Sequence, residues 1–499
     1  MVDKKKVLII GGGTAGLTIA NNLQDYFDVT VIEKSKYKKY PHKYRPPLMI
    51  GLLFRSPQLK YMSKRNFILP NGRHIPFFES NVLGGASVIN GAVHTIGSND
   101  SWSNILKKFN SNYEDLIKSF NKIYSKNPKE KNKITLSLSY QNIIDRAFIK
   151  TLNIFGIPKG DSNYSDYQSC GPIYNTVRKF FRTSVLSTIT KKNFNYHVNE
   201  CVEEILFKKT KAVGVKTNLR IIDADFVILS GGVIGTCKLL FDQRKVLNQK
   251  GNKIFNNLPI GKNIQDHTNL RVNVLTNKEI GSLNEISNSS YQKLSLLLKH
   301  YLGKHTLMKG TGASSFVNLD LDGDGKIDTR IQVVQFSETG RHGSDGSFFS
   351  SSHPGFSLSI TTINPSSKGE VISEGSNNVN PMYLSSRKDI DLLKLALKFC
   401  LKLLRSSPLN EHILKIEEEV KIENNPEEYI HNNIYSGHHL IGGMQDAISS
   451  NFEIKGTQSL YVCDASIFNH YAASNIHSSV ILIADIFFNK FIKNHKGDL

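Results

Sequence analysis

Cysteine is scarce in this chain, and what there is stands apart. Cys170, Cys201, Cys237, Cys400 and Cys463 are odd in number, far apart, and form no C-x-x-C pair. That pattern argues against a disulfide framework and against a zinc site. Long hydrophobic runs are also missing. The most apolar stretch near the end, Val480 to Phe488, is interrupted by Asp485 and too short to span a bilayer, so no integral membrane segment is expected. Blocks of like charge are missing too. None exceeds Lys4-Lys5-Lys6, despite a formal net charge of +20, and no basic–aromatic repeat occurs. The charge therefore reads as scattered lysine, not as a nucleic-acid footprint. It leaves room for attraction to an anionic substrate or a membrane surface. Met1-Val2-Asp3-Lys4 runs almost at once into an apolar segment, which leaves no room for a signal peptide, and a cytoplasmic protein is expected. The 499 residues, 39% of them hydrophobic, suffice for two or three domains with ample core.

What is present is organised around the first 33 residues. Val7-Leu8-Ile9-Ile10 predicts a buried strand, and Gly11-Gly12-Gly13-Thr14-Ala15-Gly16 fits G-x-G-x-x-G. A helix to about Leu23 follows, then a second strand, Val29-Thr30-Val31-Ile32, ending on Glu33. Gly11 allows the tight turn, Gly13 lets a pyrophosphate approach the backbone, and Gly16 lets the helix pack close to the strand. The helix N-terminus offers free N–H groups to phosphates, and Glu33 is spaced to bind an adenosine ribose. This fingerprint alone does not choose between NAD and FAD.

Residues 34–80 lack clean periodicity. Tyr37 to Tyr44 is basic and aromatic, Pro46-Pro47 breaks the chain, and Arg55 to Lys64 reads as loop. The segment is expected to be an excursion over a ligand. Then Gly84-Gly85 and the small polar residues to Gly91 predict a tight loop whose backbone approaches a ligand, with Ser87 and Asn90 able to hydrogen-bond it. Trp102, the only tryptophan, is expected to anchor packing. Residues 103–127 read as one helix, 141–152 as another, and 202–217 as a hairpin. Val227 to Ser230 is a buried strand running into a second glycine turn, expected to return beside the first strand in a parallel sheet. From 268 the strands alternate (270–275, 331–336, 356–363) and helices are amphipathic (291–301, 390–404). This predicts an antiparallel substrate domain.

Asp320, Asp322, Asp324 and Asp328, with Gly325, follow an EF-hand-like spacing, but Ile331 stands where the bidentate glutamate belongs. The loop is either a structural calcium site or an acidic hairpin turn; no catalytic metal is assigned. Near the C-terminus, His438 and His439 lie in a glycine-rich loop. Leu460 to Ser466 reads as a strand ending in Asp464, followed by His470, Asn475 and His477 and a closing helix from about Ser479.

Taken together, these motifs resemble the glucose-methanol-choline (GMC) flavoprotein oxidoreductases over nearly the whole length. The cofactor fingerprint matches Gly11, Gly13, Gly16 and Glu33; G-G-x-S-x-x-N-G matches Gly84, Gly85, Ser87, Asn90 and Gly91. The second signature resembles Val227 to Leu240, and G-x-N-x-x-D-H matches Gly261, Asn263, Asp266 and His267. H-x-x-G matches His439 and Gly442, and V-x-D-A-S matches Val462, Asp464, Ala465 and Ser466. Two departures stand out. Gly443 replaces the family's threonine, with Asp446-Ala447 for the later Met-Gly, and Asn475-Ile476 stands where Asn-Pro is usual.

The resemblance implies an α/β fold: a Rossmann-like FAD-binding domain with an α+β substrate domain on an antiparallel sheet. Residues 1–267 would form the FAD-binding domain, with excursions at about 34–80 and 103–180. Residues 268–430 would bind substrate, and 431–499 would return to the first domain carrying catalytic residues. It implies FAD, held non-covalently because Ile89 occupies the position of the flavin-linking histidine. Thr14, Ala15, Val202, Asp464 and Ala465 join the glycines, Glu33, Ser87 and Asn90 as candidate cofactor contacts. It further implies oxidation of a small-molecule alcohol, with oxygen or another compound as electron acceptor. His439 would take the hydroxyl proton while hydride moves to flavin N5. Asn475, or its rival His477, would hold the oxygen. A lyase of the same fold with structural FAD is the alternative.

Overall fold

The structure, a computed structural model, describes residues 4–39, 41, 46–50, 61–69, 71–189, 193–339, 349–373 and 379–498. Its first sheet is wholly parallel. Lys6–Ile10 lies between Asp28–Glu33 and Phe226–Leu229, as the two glycine turns predict. Asn195–Val198 and Leu460–Val462 complete five strands in the order 195–198, 28–33, 6–10, 226–229, 460–462. Strands covered on both faces need apolar side chains throughout, and Phe226, Val227, Ile228 and Leu229 are all buried. The helix Thr14–Leu23 packs against the closing helix Ile476–Asn494. The glycine turns after Ile10 and Leu229 and the acid after Val462 all lie beyond the C-terminal ends of these strands. That is where an open parallel sheet presents its ligand crevice.

The second large sheet is antiparallel. Its order is 413–416, 268–276, 355–362, 329–334, 313–319, 169–172, with Tyr435–Ser436 also pairing to Thr268–Thr276. The strand Thr268–Thr276 alternates strictly between buried and half-buried positions. One face, with Leu270, Val272, Leu358, Ile360 and Val333, is buried, and the helix Arg387–Leu404 packs against strand Gly355–Thr362. The other presents Asn269, Arg271, Ser359 and Gln332 to the main cavity. One strand of this sheet, Ser169–Pro172, comes from the first half of the chain.

Two local expectations need correction. Residues 62–64, read as loop, begin the strand Met62–Ile68, which pairs in full register with His74–Ser80. The hairpin has little alternation because Phe67, Ile75 and Phe77 pack into the core while Arg73, Ile75, Phe77 and Phe78 all line the cavity. Its signal was the Asn71-Gly72 turn, where Gly72 has φ +79°. Residues 51–60, including the Arg55–Lys60 part of the same reading, and Tyr44 lie outside the described residues. The single helix expected over 103–127 is two, Asn99–Lys108 and Tyr113–Ile123. Asn110 turns left-handed between them (φ +47°), and the Asn112 side chain caps the second by accepting from Asp115 N. Trp102 is fully buried and donates its Nε1–H to Ile96 O at 2.9 Å. Among the described residues no helix is long and apolar enough to cross a membrane.

Candidate active site

A single cavity of about 1090 Å³ joins the cofactor fingerprint to the C-terminal histidines. Gly11, Gly13, Thr14, Ala15, Glu33, Gly85, Asn90, Gly91, Val202, Asp464 and Ala465 line it, and so do His439, Asn475 and His477. Three candidates do not. Gly16 is packed under the turn, where a Cβ would meet Gly11 O at 2.0 Å, so glycine is what allows the helix this close. Gly84 makes the left-handed turn before Gly85 (φ +103°), and Ser87 donates its hydroxyl to the Gly84 carbonyl at 2.7 Å.

The residues present fit FAD. No side chain caps the N-terminus of Thr14–Leu23, and its first N–H groups have no intrahelical partner, so they are free for a diphosphate. Space is open beside Gly13 where a Cβ would stand. Glu33 accepts from Gly12 N (2.6 Å) and Ser35 N (2.7 Å), which fixes its carboxylate at the rim with acceptor capacity to spare. Asp464 ties the strand 460–462 to the second glycine turn. It accepts from Gly232 N at 2.9 Å and from the Thr236 hydroxyl at 2.6 Å.

At the other end, His439 lies against His267, with Nδ1 to Nδ1 at 2.9 Å. His267 Nε2 lies 2.8 Å from the Ile363 carbonyl, which can only accept, so His267 carries its proton on Nε2. Its Nδ1 is then the acceptor, and His439 must donate from Nδ1. The hydrogen-bond pattern thus assigns His439 a bare Nε2, aimed at the cavity. Burial pushes His267 down to about 4, so this partner stays neutral. Burial, followed by the neighbouring His267 and His438, holds His439 well below 6.5. Both rings are therefore neutral near pH 7.

The chain around this pair is built to hold it. Asp266 accepts from His439 N at 2.7 Å and from the Tyr383 and Ser436 hydroxyls. Burial raises Asp266 to about 6 against the pull of these donors. Gly437 gives clearance: a Cβ there would meet His267 Cβ at 2.8 Å. His438 takes a left-handed turn (φ +60°), its Nδ1 3.0 Å from Ser436 O and its ring stacked on Phe77 and Phe78. Tyr471 stacks on His267 with centroids 3.8 Å apart and donates its hydroxyl to His439 O at 2.9 Å. His470 is turned away, to Ser101 O. Asn475 is the N-cap residue of the closing helix, yet its side chain makes no capping bond. His477 stands two residues on; its Nε2 is buried with no hydrogen-bond partner, and burial, then Arg182, lowers it to about 4.

Asp266, His267 and Tyr471, which the sequence reading left without a role, pack around His439 in this site. The first two stood in the G-x-N-x-x-D-H element, which marked them as a unit but not as the support of His439. The acidic loop at 320–328 is a hairpin turn between Ala313–Leu319 and Thr329–Val334. Asp320, Asp322 and Asp328 converge there, but Asp320 caps Gly323 N and Gly325 N, Asp328 caps Leu321 N and Asp322 N, and Lys388 pairs with Asp322 at 3.0 Å.

Comparison with known proteins agrees with this geometry. The GMC oxidoreductase family pattern matches residues 5–269 in its N-terminal part and 365–484 in its C-terminal part. The "Oxygen-dependent choline dehydrogenase" of Vibrio vulnificus (strain YJ016) is 24% identical, over 96% of this chain and 92% of that protein. Among solved structures, formate oxidase superposes with a TM-score of 0.86 at 16% identity, covering 100% of both chains. Pyridoxine 4-oxidase from "Mesorbium loti" does so at 0.80 and 17%, covering 98% of this chain and 99% of that one. The chain belongs to the GMC oxidoreductase family.

Proposed function

We propose that this FAD-dependent alcohol oxidoreductase uses His439 as the base that removes the hydroxyl proton, and Asn475 as the donor that holds the alcohol oxygen. Bound FAD supplies the two-electron acceptor for the C–H bond. The observation that carries the reading is the His267–His439 contact, which leaves His439 Nε2 bare and facing the cavity. A neutral imidazole accepts a proton without first having to lose one. His267, fixed by Ile363 O and Tyr471, holds the required tautomer and shares the charge as His439 becomes cationic.

We assign the second role to Asn475 because its carboxamide is not spent on capping and lies on the cavity wall. It also stands at the N-terminus of a 19-residue helix, whose positive end favours a developing alkoxide. His477 sits at the second helical position behind it. The glycine turn at 11–15, Glu33, Gly85, Asn90, Gly91, Val202, Asp464 and Ala465 are proposed to hold FAD, with Gly16, Gly84 and Ser87 shaping the backbone beneath. The FAD is proposed to be non-covalent, since Ile89 offers no nucleophile at the cavity wall. The substrate is a small alcohol, and oxygen or another acceptor takes the electrons.

Purified protein should show flavin bands whose colour is released to the supernatant by acid, and a reactive alcohol should bleach them without oxygen. Colour retained in the pellet would reject the non-covalent assignment. Bound flavin that no alcohol in a broad panel bleaches would reject alcohol oxidation.

A further inference from the structure

The helix Ser290–Tyr301 is amphipathic with its apolar stripe on the wrong side for a globular protein. Tyr291, Leu294, Leu297, Leu298 and Tyr301 recur at the three- and four-residue spacing that lines one helical face. That face points outward: Tyr291 is 81% exposed, Leu294 57%, Leu298 55% and Tyr301 64%, and Leu302 just beyond is 76% exposed. The one fully buried residue of the helix is polar, His300. A neighbouring hairpin tip extends the patch. Phe180 sits 5.6 Å from the Tyr301 ring, and Phe181 beside it is exposed. Contiguous apolar surface of this kind marks a contact face.

Charge identifies what covers it. Lys293 and Lys299 on the helix, Lys304 just past its end and Lys179 on the hairpin tip are exposed, and among the described residues none has a carboxylate partner. The whole chain carries +20. A second copy docking by two-fold symmetry would set these lysines against one another. An anionic headgroup layer pairs with them while its acyl boundary takes the leucines, and tyrosines flanking the stripe suit that boundary. We propose that this helix and the Lys179–Phe181 tip bind the surface of an anionic lipid bilayer, the helix lying in the interface plane. Its 12 residues are too few to span one. Lys293, Leu296 and Leu297 of the same helix line the main cavity, so docking would set the cavity mouth against the headgroups.

The test uses the FAD-loaded full chain and vesicle flotation. Vesicles of phosphatidylglycerol and phosphatidylcholine in equal parts should carry the protein, and pure phosphatidylcholine should carry about tenfold less or none. Leu294→Glu/Leu298→Glu, two exposed positions outside the cavity wall, should abolish flotation while leaving flavin content and melting temperature unchanged. Lys299→Glu/Lys304→Glu, two exposed lysines outside the cavity wall, should weaken it, as should raising the salt. Failure to float with the anionic vesicles would overturn the proposal, as would flotation that survives the leucine double substitution. So would a concentration-dependent dimer, seen by sedimentation equilibrium, that the same substitution dissolves. None of these readouts depends on alcohol turnover, so the result stands whether or not the catalytic assignment does.

Discussion

His267→Ala removes the group that fixes the His439 tautomer while leaving His439 itself in place. In the wild type the Nδ1–Nδ1 contact of 2.9 Å, with Ile363 O at 2.8 Å behind it, forces the proton of His439 onto Nδ1. Without the acceptor, His439 is free to carry that proton on Nε2, where it blocks the alcohol hydroxyl. The loss is that of a buried hydrogen bond, about 1–3 kcal/mol. At 1.36 kcal/mol per decade, this slows proton removal by about 5- to 160-fold. The assay is anaerobic stopped-flow bleaching with the fastest alcohol from a panel, normalised to bound flavin, because losing the Tyr471 stack will also lower the melting point. The double variant His267→Ala/His439→Ala should be no slower than His439→Ala alone, since His267 acts only through His439. A single variant within twofold of wild type, or effects that multiply in the double variant, would refute the relay of hydrogen bonds.

Three further outcomes follow from the same geometry. Because His439 titrates well below 6.5, the bleaching rate should be flat from neutral pH upward and fall only on the acid side, as the base becomes protonated; a limb centred at 6.5 or above contradicts this. Asn475→Ala should slow bleaching at least about tenfold by removing an oxyanion donor. It should leave chemical stability within about 0.5 kcal/mol, since the side chain is not a cap; a loss nearer the typical ~1 kcal/mol for a real N-cap would reassign it to capping. Gly16→Ala drives a methyl into Gly11 O and should cost about 1–3 kcal/mol by overpacking, read as a lower melting point and weaker FAD retention.

Much of the fold was legible because its signals are local. The strand, glycine turn, helix and second strand of residues 6–33 carry periodicity and turn chemistry in one short span, and they appear where the pattern puts them. The return of 226–229 beside 6–10 was readable because a second buried run ends in a second glycine turn. The hairpin at 62–80 was not, since its side chains answer to the cavity as well as the core and blur the alternation. Site chemistry divides in the same way. His439 stood out as a residue type in a motif, but its bare nitrogen depends on His267, 172 positions away, and on the Ile363 carbonyl. No linear pattern specifies a tautomer. The same limit applies to Asn475, whose residue type suits an N-cap, while only the structure shows that its side chain does not cap.

The most direct measurement is the anaerobic reduction rate of His439→Ala against wild type, with flavin content and absorbance spectrum recorded on the same samples. If His439 is the base, the variant binds FAD with an unaltered spectrum yet bleaches at least about a hundredfold more slowly, in line with loss of a general base. Full-rate bleaching with normal flavin content would show that the proton leaves by another route.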